Sequence, residues 1–102
     1  MPVAYLRLRA DGRAGETLSF TDELTLGRET MGQSGHTDGR LSRRHARVFI
    51  KADGQVWVED LGSTNGTFVN GKRIRKVRKV GLGDEITVGR TTLEMVAAAG
   101  LP

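Results

Sequence analysis

The fold is decided by residues 56–71, which read VWVEDLGSTNGTFVNG. Val56 and Val58 stand on alternate positions at its start, which is typical of a strand with one buried face. A short polar loop follows, and the next apolar pair is flanked on both sides by Asn-Gly. Asn-Gly favours the positive φ angles of tight hairpin turns. The stretch therefore predicts two strands joined by a loop, with a hairpin turn after the second.

The same alternation recurs along the chain. Apolar residues alternate with polar ones at Leu6 and Leu8, Leu24 and Leu26, Val48 and Ile50, Ile86 and Val88, and Leu93 and Met95. Turn-forming pairs of a Gly with an Asp or Asn separate these runs at 11–12, 53–54, 65–66, 70–71 and 83–84. No stretch of ten or more residues has a capped 3.6-residue apolar period. Many short strands at close spacing predict an all-β fold, an antiparallel sandwich or barrel.

Two segments interrupt the alternation. Residues 29–41 form a polar stretch with three glycines, and residues 61–66 form a shorter one. Both are predicted to be loops, and loops on a rigid β scaffold commonly carry binding groups. We assign residues 1–96 to one domain and residues 97–102, AAAGLP, to a C-terminal tail or the start of a linker.

The composition limits the functions that are possible. The chain has 102 residues, 16 Lys and Arg against 12 Asp and Glu, and hence a net charge of +4. It has no cysteine and only two histidines, so neither a disulfide nor a structural zinc site is predicted. No apolar run is long enough to span a membrane, and no signal peptide is visible. We expect a cytoplasmic domain with no cofactor and a preference for anionic partners. The excess of Arg over Lys, with many Gly and Ala, is compatible with a bacterial source.

A set of phosphate-binding groups stands at the predicted loops. Arg28 follows Gly27 after one strand, Ser42 and Arg43 precede another, and residues 63–65 are Ser, Thr and Asn. Loops at one end of an antiparallel sandwich converge. A guanidinium gives two parallel charge-assisted bonds to a phosphate, and hydroxyls supply more. Any one of these residues is explained more simply as a cap or a turn former, but the combined pattern favours a phosphate site.

Three segments together resemble the signature of the forkhead-associated (FHA) domain family. They are Gly27-Arg28, Ser42-Arg43-Arg44-His45-Ala46, and the run from Asp60 to Gly71. The resemblance covers about residues 4–96. It implies an antiparallel β-sandwich of about eleven strands (FHA/SMAD-like) with its binding loops at one end. It also implies a non-catalytic module that binds phosphothreonine peptides or proteins downstream of a Ser/Thr protein kinase.

The resemblance also implies residue roles. Arg28 would contact the phosphate, Ser42 would hydrogen-bond it, and Arg43 would touch the phosphate or the peptide backbone. Thr64 would line the site near the phosphothreonine, and Asn65 would hold the peptide main chain just beyond it. Arg40 would help select the residue three positions after the phosphothreonine. The structural residues of the motif would be Gly27, His45, Gly66, Asn70 and Gly71.

One segment departs from the family pattern. Relatives commonly place a short apolar strand between the Gly-Arg and the Ser-x-x-His, whereas residues 32–39 here read GQSGHTDG. No β-branched apolar residue is available to pack. We expect that strand to be absent or very short, with a loop in its place beside Ser42.

The sequence also suggests two alternative functions. Six cations within residues 72–79 could form a nucleic-acid surface, but no aromatic residues interleave with them, so a solvated hairpin is favoured. The five aromatics, Tyr5, Phe20, Phe49, Trp57 and Phe68, are expected in the core. A scaffold that binds an unphosphorylated partner through a sheet face is the main alternative.

Two enzyme-like patterns fail. Residues 66–72 fit the opening of a nucleotide-binding P-loop, but Arg73 stands where a Ser or Thr must hold Mg²⁺. Ser42 and His45 lack an acid in the context of a catalytic triad. We therefore predict no enzymatic activity and no metal site.

Overall fold

The computed structural model describes residues 3–10, 13–31 and 38–99. Its ten strands and one helical turn are, in chain order, β1 (Val3–Ala10), β2 (Arg13–Phe20), β3 (Glu23–Leu26), α1 (Arg28–Met31), β4 (Ala46–Ile50), β5 (Val56–Asp60), β6 (Thr67–Val69), β7 (Lys72–Arg73), β8 (Val77–Val80), β9 (Glu85–Val88) and β10 (Thr91–Ala99). Two predicted features, the 11–12 turn and most of the 32–39 loop, lie outside the described residues.

The strands form two antiparallel sheets. The larger has the order β2-β1-β10-β9-β6-β7 and the smaller β3-β4-β5-β8. The chain crosses between the sheets at β2–β3, β5–β6, β7–β8 and β8–β9, and the two sheets share one core. The predicted all-β antiparallel sandwich is confirmed, with ten strands in the part of the chain that the structure describes. Within the residues that the structure describes, no helix is long and apolar enough to cross a membrane.

The core lies between the sheets and is built from the predicted alternation. The inward positions of the larger sheet are occupied by Leu6, Leu8, Ile86, Val88, Leu93 and Met95, and those of the smaller by Leu26, Ala46, Val48, Val56, Val58 and Val80. Their intervening neighbours, such as Arg7 and Arg9, are exposed. A strand with period-two alternation has one apolar face, and here each such face is buried against the other sheet.

The aromatic residues differ from the prediction. Only Phe20 is in the core, whereas Tyr5, Phe49, Trp57 and Phe68 are half-buried. Smaller residues, mostly aliphatic, occupy the inward positions next to them, so the alternation turns the rings to the outer faces. Phe49 and Trp57 are cross-strand partners there. The Arg47 guanidinium lies 4.2 Å from the centre of the Phe49 ring, and the Lys51 ammonium lies 3.8 Å from the Trp57 ring. Cations thus cover the Phe49 and Trp57 rings on the outer face of the smaller sheet.

The predicted loop at 29–41 begins as a helical turn. Gly27 accepts a hydrogen bond from the Met31 amide (2.8 Å), and the Thr30 hydroxyl donates to the Thr25 carbonyl (2.6 Å). Met31 inserts into the core and is 5% exposed. One apolar side chain in a polar stretch is enough to fix the turn, but it is too little to show a helical period.

The C-terminal boundary also differs from the prediction. β10 continues to Ala99 because residues 97–99 pair with residues 3–5 of β1. Residues 97–99 therefore belong to the larger sheet rather than to a tail.

Candidate functional site

The connections at one end of the sandwich surround an open cleft of about 550 Å³. Its lining residues are Arg28, Gly39, Arg40, Leu41, Ser42, Arg43, Arg44, Thr64 and Asn65. The cleft follows from strand register. β3 ends where β4 begins, β4 begins opposite the end of β5, and β6 begins opposite the end of β9. All six residues predicted to meet the ligand are brought together here.

Gly27 lets α1 dock against the segment that precedes β4. A Cβ atom on Gly27 would lie 2.8 Å from the Arg43 carbonyl carbon, 3.0 Å from the Arg44 Cα, and closer still to the Arg43 oxygen. This approach allows the Arg28 amide to donate to the Ser42 carbonyl (3.1 Å) and the Glu29 amide to the Arg43 carbonyl (3.2 Å). Arg28 is therefore held beside Ser42 by its main chain, which leaves its side chain free at the cleft.

Ser42, His45 and Gly66 link the two loops. The Ser42 amide donates to His45 Nδ1 (3.1 Å), and His45 Nε2 lies 2.7 Å from the Gly66 carbonyl oxygen. A carbonyl only accepts, so Nε2 carries the proton and His45 is the neutral Nε2–H tautomer. The ring is fully buried. It ties the two loops together from beneath and takes no part in lining the cleft.

The Ser42 hydroxyl faces the second loop. Its oxygen accepts a hydrogen bond from the Thr64 amide (3.2 Å). A hydroxyl has one proton to donate, and none of the described residues accepts it. Ser42 thus holds Thr64 in place and still offers an O–H donor to a ligand in the cleft.

Asp60 organises the loop at 61–66. One carboxylate oxygen accepts from the hydroxyls of Ser63 (2.5 Å) and Thr67 (2.6 Å), and the other from the amides of Gly62 (3.1 Å) and Ser63 (3.2 Å). The Ser63 hydroxyl in turn accepts from the Gly66 amide (3.0 Å). Partial burial raises the pKa of Asp60, but these hydrogen bonds outweigh it and hold the pKa below its usual range. The ionised carboxylate is therefore part of the folded loop.

Replacing Asp60 with asparagine is expected to lower the free energy of unfolding at pH 7 by about 1–3 kcal/mol, since an amide cannot accept all four bonds. Because the folded-state pKa is depressed, the contribution of the carboxylate is complete above the unfolded pKa and is lost as pH falls through the folded one. Urea unfolding between pH 7 and pH 2.5 should show the difference between wild type and Asp60→Asn shrinking below about pH 4. Asp53→Asn, at an exposed turn, is the control. A difference that is constant with pH contradicts this role.

Asp38 anchors the other side of the cleft, and sequence reasoning did not identify it. Its carboxylate accepts from the Arg40 amide (3.0 Å), the Arg90 amide (2.8 Å) and the Thr91 hydroxyl (2.6 Å). Gly89 permits this contact, because a Cβ there would lie 2.9 Å from the Leu41 amide nitrogen. The turn between β9 and β10 thus supports the loop that carries Arg40. The separation of 53 residues between Asp38 and Thr91 leaves no local signal in the sequence.

Asn65 joins the two walls of the cleft. Its side-chain amide donates to the Arg40 carbonyl (2.8 Å), and the Arg40 guanidinium lies 3.5 Å from its amide oxygen. Asn65 therefore bridges the two loops that line the cleft.

The cleft is strongly cationic. The guanidinium groups of Arg28, Arg43 and Arg44 form no ion pair or hydrogen bond with another residue in the described ranges 3–10, 13–31 and 38–99. By contrast, Arg47 on the neighbouring sheet face is paired with Glu23 and Glu59. Unpaired cations around a concave site attract anionic ligands.

The remaining predicted residues form a turn away from the cleft. Asn70 and Gly71 have φ angles of 51° and 83° and close the hairpin between β6 and β7. The Asn70 side chain donates to Asp84 (3.0 Å) and accepts from the Glu85 amide (2.9 Å). The cations of residues 72–79 lie on β7, on β8 and between these two edge strands, and they do not line the cleft.

The fold and the cleft define a β-sandwich module with a cationic cleft at one end. The FHA domain family model matches residues 24–89, and the chain belongs to the FHA domain family. This identification confirms the resemblance predicted from the sequence.

Individual relatives agree. The chain is similar to the FHA domain-containing protein FhaB of Mycobacterium tuberculosis, with 31% identity over 93 residues, 89% of this chain and 59% of FhaB. It thus spans about three fifths of that curated relative. The FHA domain of CT664 from Chlamydia trachomatis superimposes with a TM-score of 0.81 at 26% identity, covering 95% of this chain and 99% of that one. Mycobacterium tuberculosis EmbR, in complex with a low-affinity phosphopeptide, superimposes with a TM-score of 0.76 at 28% identity, covering 98% of this chain and 26% of EmbR.

Proposed function

We propose that this chain is a non-catalytic module that binds phosphothreonine-containing peptides or proteins, in the cytoplasm and downstream of a Ser/Thr protein kinase. The observation that carries the proposal is the cleft itself. Arg28 and Ser42 are held side by side by main-chain bonds, and both retain unused donors that face the same space. The complex of the related EmbR with a phosphopeptide supports it.

The proposal assigns each residue of the cleft a role. A phosphate carries nearly two negative charges and three acceptor oxygens. Arg28 supplies two parallel N–H donors, and the Ser42 hydroxyl supplies a third. Arg43 adds a further cation, and Thr64 offers its side chain beside the phosphothreonine. Asn65 binds the peptide main chain next to it, and Arg40 contacts a later residue.

In this proposal the residues of the phosphate site bind the ligand and none acts as a catalyst. Arg28, Ser42 and Arg43 bind charge, and the neutral His45 has both ring nitrogens engaged with the loops rather than the cleft. This arrangement fits recognition, in which phosphate is bound and released unchanged.

The proposal is tested with a peptide library in three matched forms, containing phosphothreonine, phosphoserine or unmodified threonine at the fixed position. Selective binding of the phosphothreonine form is expected. Equal affinity for the phosphothreonine and unmodified threonine peptides would contradict the proposal and favour a phosphorylation-independent scaffold. Binding of DNA or RNA that falls steeply with salt and ignores the peptides would favour the nucleic-acid alternative at residues 72–79.

Ser42→Ala should weaken phosphopeptide binding by about 10- to 150-fold, since a hydrogen bond to a charged group is worth about 1.5–3 kcal/mol. Calorimetric titration of wild type and variant measures this. Ser19→Ala, an exposed serine on β2, is the matched control and should bind normally. If Ser42→Ala binds as tightly as wild type, the hydroxyl does not contact the phosphate.

A further inference from the structure

Arg73 lies against the back of the loop that carries Thr64 and Asn65. It belongs to β7, opposite Phe68 of β6. A Cβ atom on Gly66 would lie 2.7 Å from Arg73 Nε, 2.9 Å from Cζ and 3.2 Å from Nη2. The guanidinium therefore packs over the bare Cα of Gly66, whose φ of 87° also requires a residue without a side chain. Gly66 thus makes room for a cation beside the loop that carries Thr64 and Asn65.

The charge of Arg73 is not balanced by an ion pair within the described part of the fold. The guanidinium has no ion pair and no hydrogen bond to another described residue, and the side chain is exposed. Two other arginines on the sheets, Arg9 and Arg78, have such partners. Arg9 pairs with Glu85 and Glu94, and Arg78 donates to the Val69 carbonyl (3.3 Å). Arg73 is thus positioned by packing while its donors stay available.

Arg73 is within reach of a ligand that occupies the cleft. Gly66 directly follows Asn65, and consecutive Cα atoms are about 3.8 Å apart. An extended peptide advances about 3.3 Å per residue. A ligand that passes over Asn65 can therefore bring a side chain to the Arg73 guanidinium within two or three residues. The cleft-lining cations Arg28, Arg40 and Arg43 come from the opposite wall.

We propose that Arg73 is a specificity-determining residue that selects phosphopeptides with a second anionic side chain near the phosphothreonine. This inference rests on the proposed function. The planar guanidinium suits a carboxylate or a second phosphate equally, because both offer paired oxygens. The partner class is therefore acidic or doubly phosphorylated peptides. Arg73 adds this selectivity to the site, while the phosphothreonine itself is bound by other residues.

The test is a phosphothreonine peptide array in which each flanking position carries Ala, Asp, Glu, Lys or phosphoserine in turn. Wild type should prefer an anionic residue at one position by at least threefold, and the Asp, Glu and phosphoserine spots identify a carboxylate or a phosphate as the source. Arg73→Ala should lose that preference, and Arg73→Glu should prefer Lys there. Arg75→Ala removes the same charge from an exposed neighbour and should keep the wild-type preference.

The inference and the proposed function fail in different ways. If wild type requires phosphothreonine but shows no anionic preference, or if Arg73→Ala and Arg75→Ala behave alike, the role of Arg73 is overturned and the proposed function stands. If wild type binds threonine and phosphothreonine peptides equally, both are overturned. Thermal unfolding of each variant confirms that the fold is retained, which is expected because both side chains are exposed.

Discussion

Arg28→Ala is expected to weaken phosphothreonine-peptide binding by about 30- to 5,000-fold, equivalent to about 2–5 kcal/mol, and to leave the fold intact. Arg28 is exposed, and its guanidinium contributes nothing to the core. Its main chain is held by Ser42, so the side chain is directed from a fixed base. Without it, the phosphate would lose its main cation while remaining partly desolvated.

Calorimetric titration with one phosphothreonine peptide measures the loss. Arg28→Lys keeps the charge but not the two parallel donors, and it should fall between wild type and Arg28→Ala. Arg7→Ala removes an equal charge from an exposed position on β1 and should bind as wild type does. If Arg28→Ala and Arg7→Ala bind equally well, Arg28 does not contact the ligand.

Gly27→Ala is expected to lower the free energy of unfolding by about 3 kcal/mol and to abolish phosphopeptide binding. The added methyl would meet main-chain atoms of Arg43 and Arg44, and these atoms cannot rotate away as a side chain could. Relief requires that α1 separate from the segment before β4. This separation breaks the hydrogen bonds from Arg28 and Glu29 and moves Arg28 away from Ser42.

Urea unfolding of Gly27→Ala, compared with Gly39→Ala, measures this effect. Gly39 also lines the cleft, but a Cβ there would meet nothing within 4 Å. Gly39→Ala should therefore change stability by no more than about 0.5 kcal/mol. Equal stabilities of the two variants would show that the close approach at Gly27 is not required.

The sequence predicted the inner strands better than the edge strands β2 and β8. β5 was predicted from Val56 and Val58 because an inner strand of a sandwich needs one fully apolar face. β2 was missed because Gly15 and several exposed polar residues weaken its alternation. β8 reads Val-Arg-Lys-Val, and charges of this kind keep an edge strand soluble. Two consecutive charged residues interrupt the alternation of apolar and polar residues that would indicate a strand.

The site was predicted only in part, for a related reason. Arg28, Ser42, Thr64 and Asn65 stand in short motifs and could be placed together once a sandwich was expected. Asp38 could not, because its partners lie on a turn about fifty residues away. The contact of Arg73 with Gly66 was not predicted either, because the hairpin turn at 70–71 indicates that β6 pairs with β7 but not which side chain reaches Gly66.

The most direct test of phosphothreonine recognition is a proton–nitrogen correlation spectrum of the labelled chain, recorded during titration with a phosphothreonine peptide and with its unphosphorylated form. We predict that the phosphorylated peptide shifts the main-chain amides of Arg28, Ser42, Thr64 and Asn65 most, and that the unphosphorylated peptide leaves them unchanged. Equal shifts with both peptides, or shifts confined to β7 and β8, would contradict a phosphate-reading cleft at this end of the sandwich.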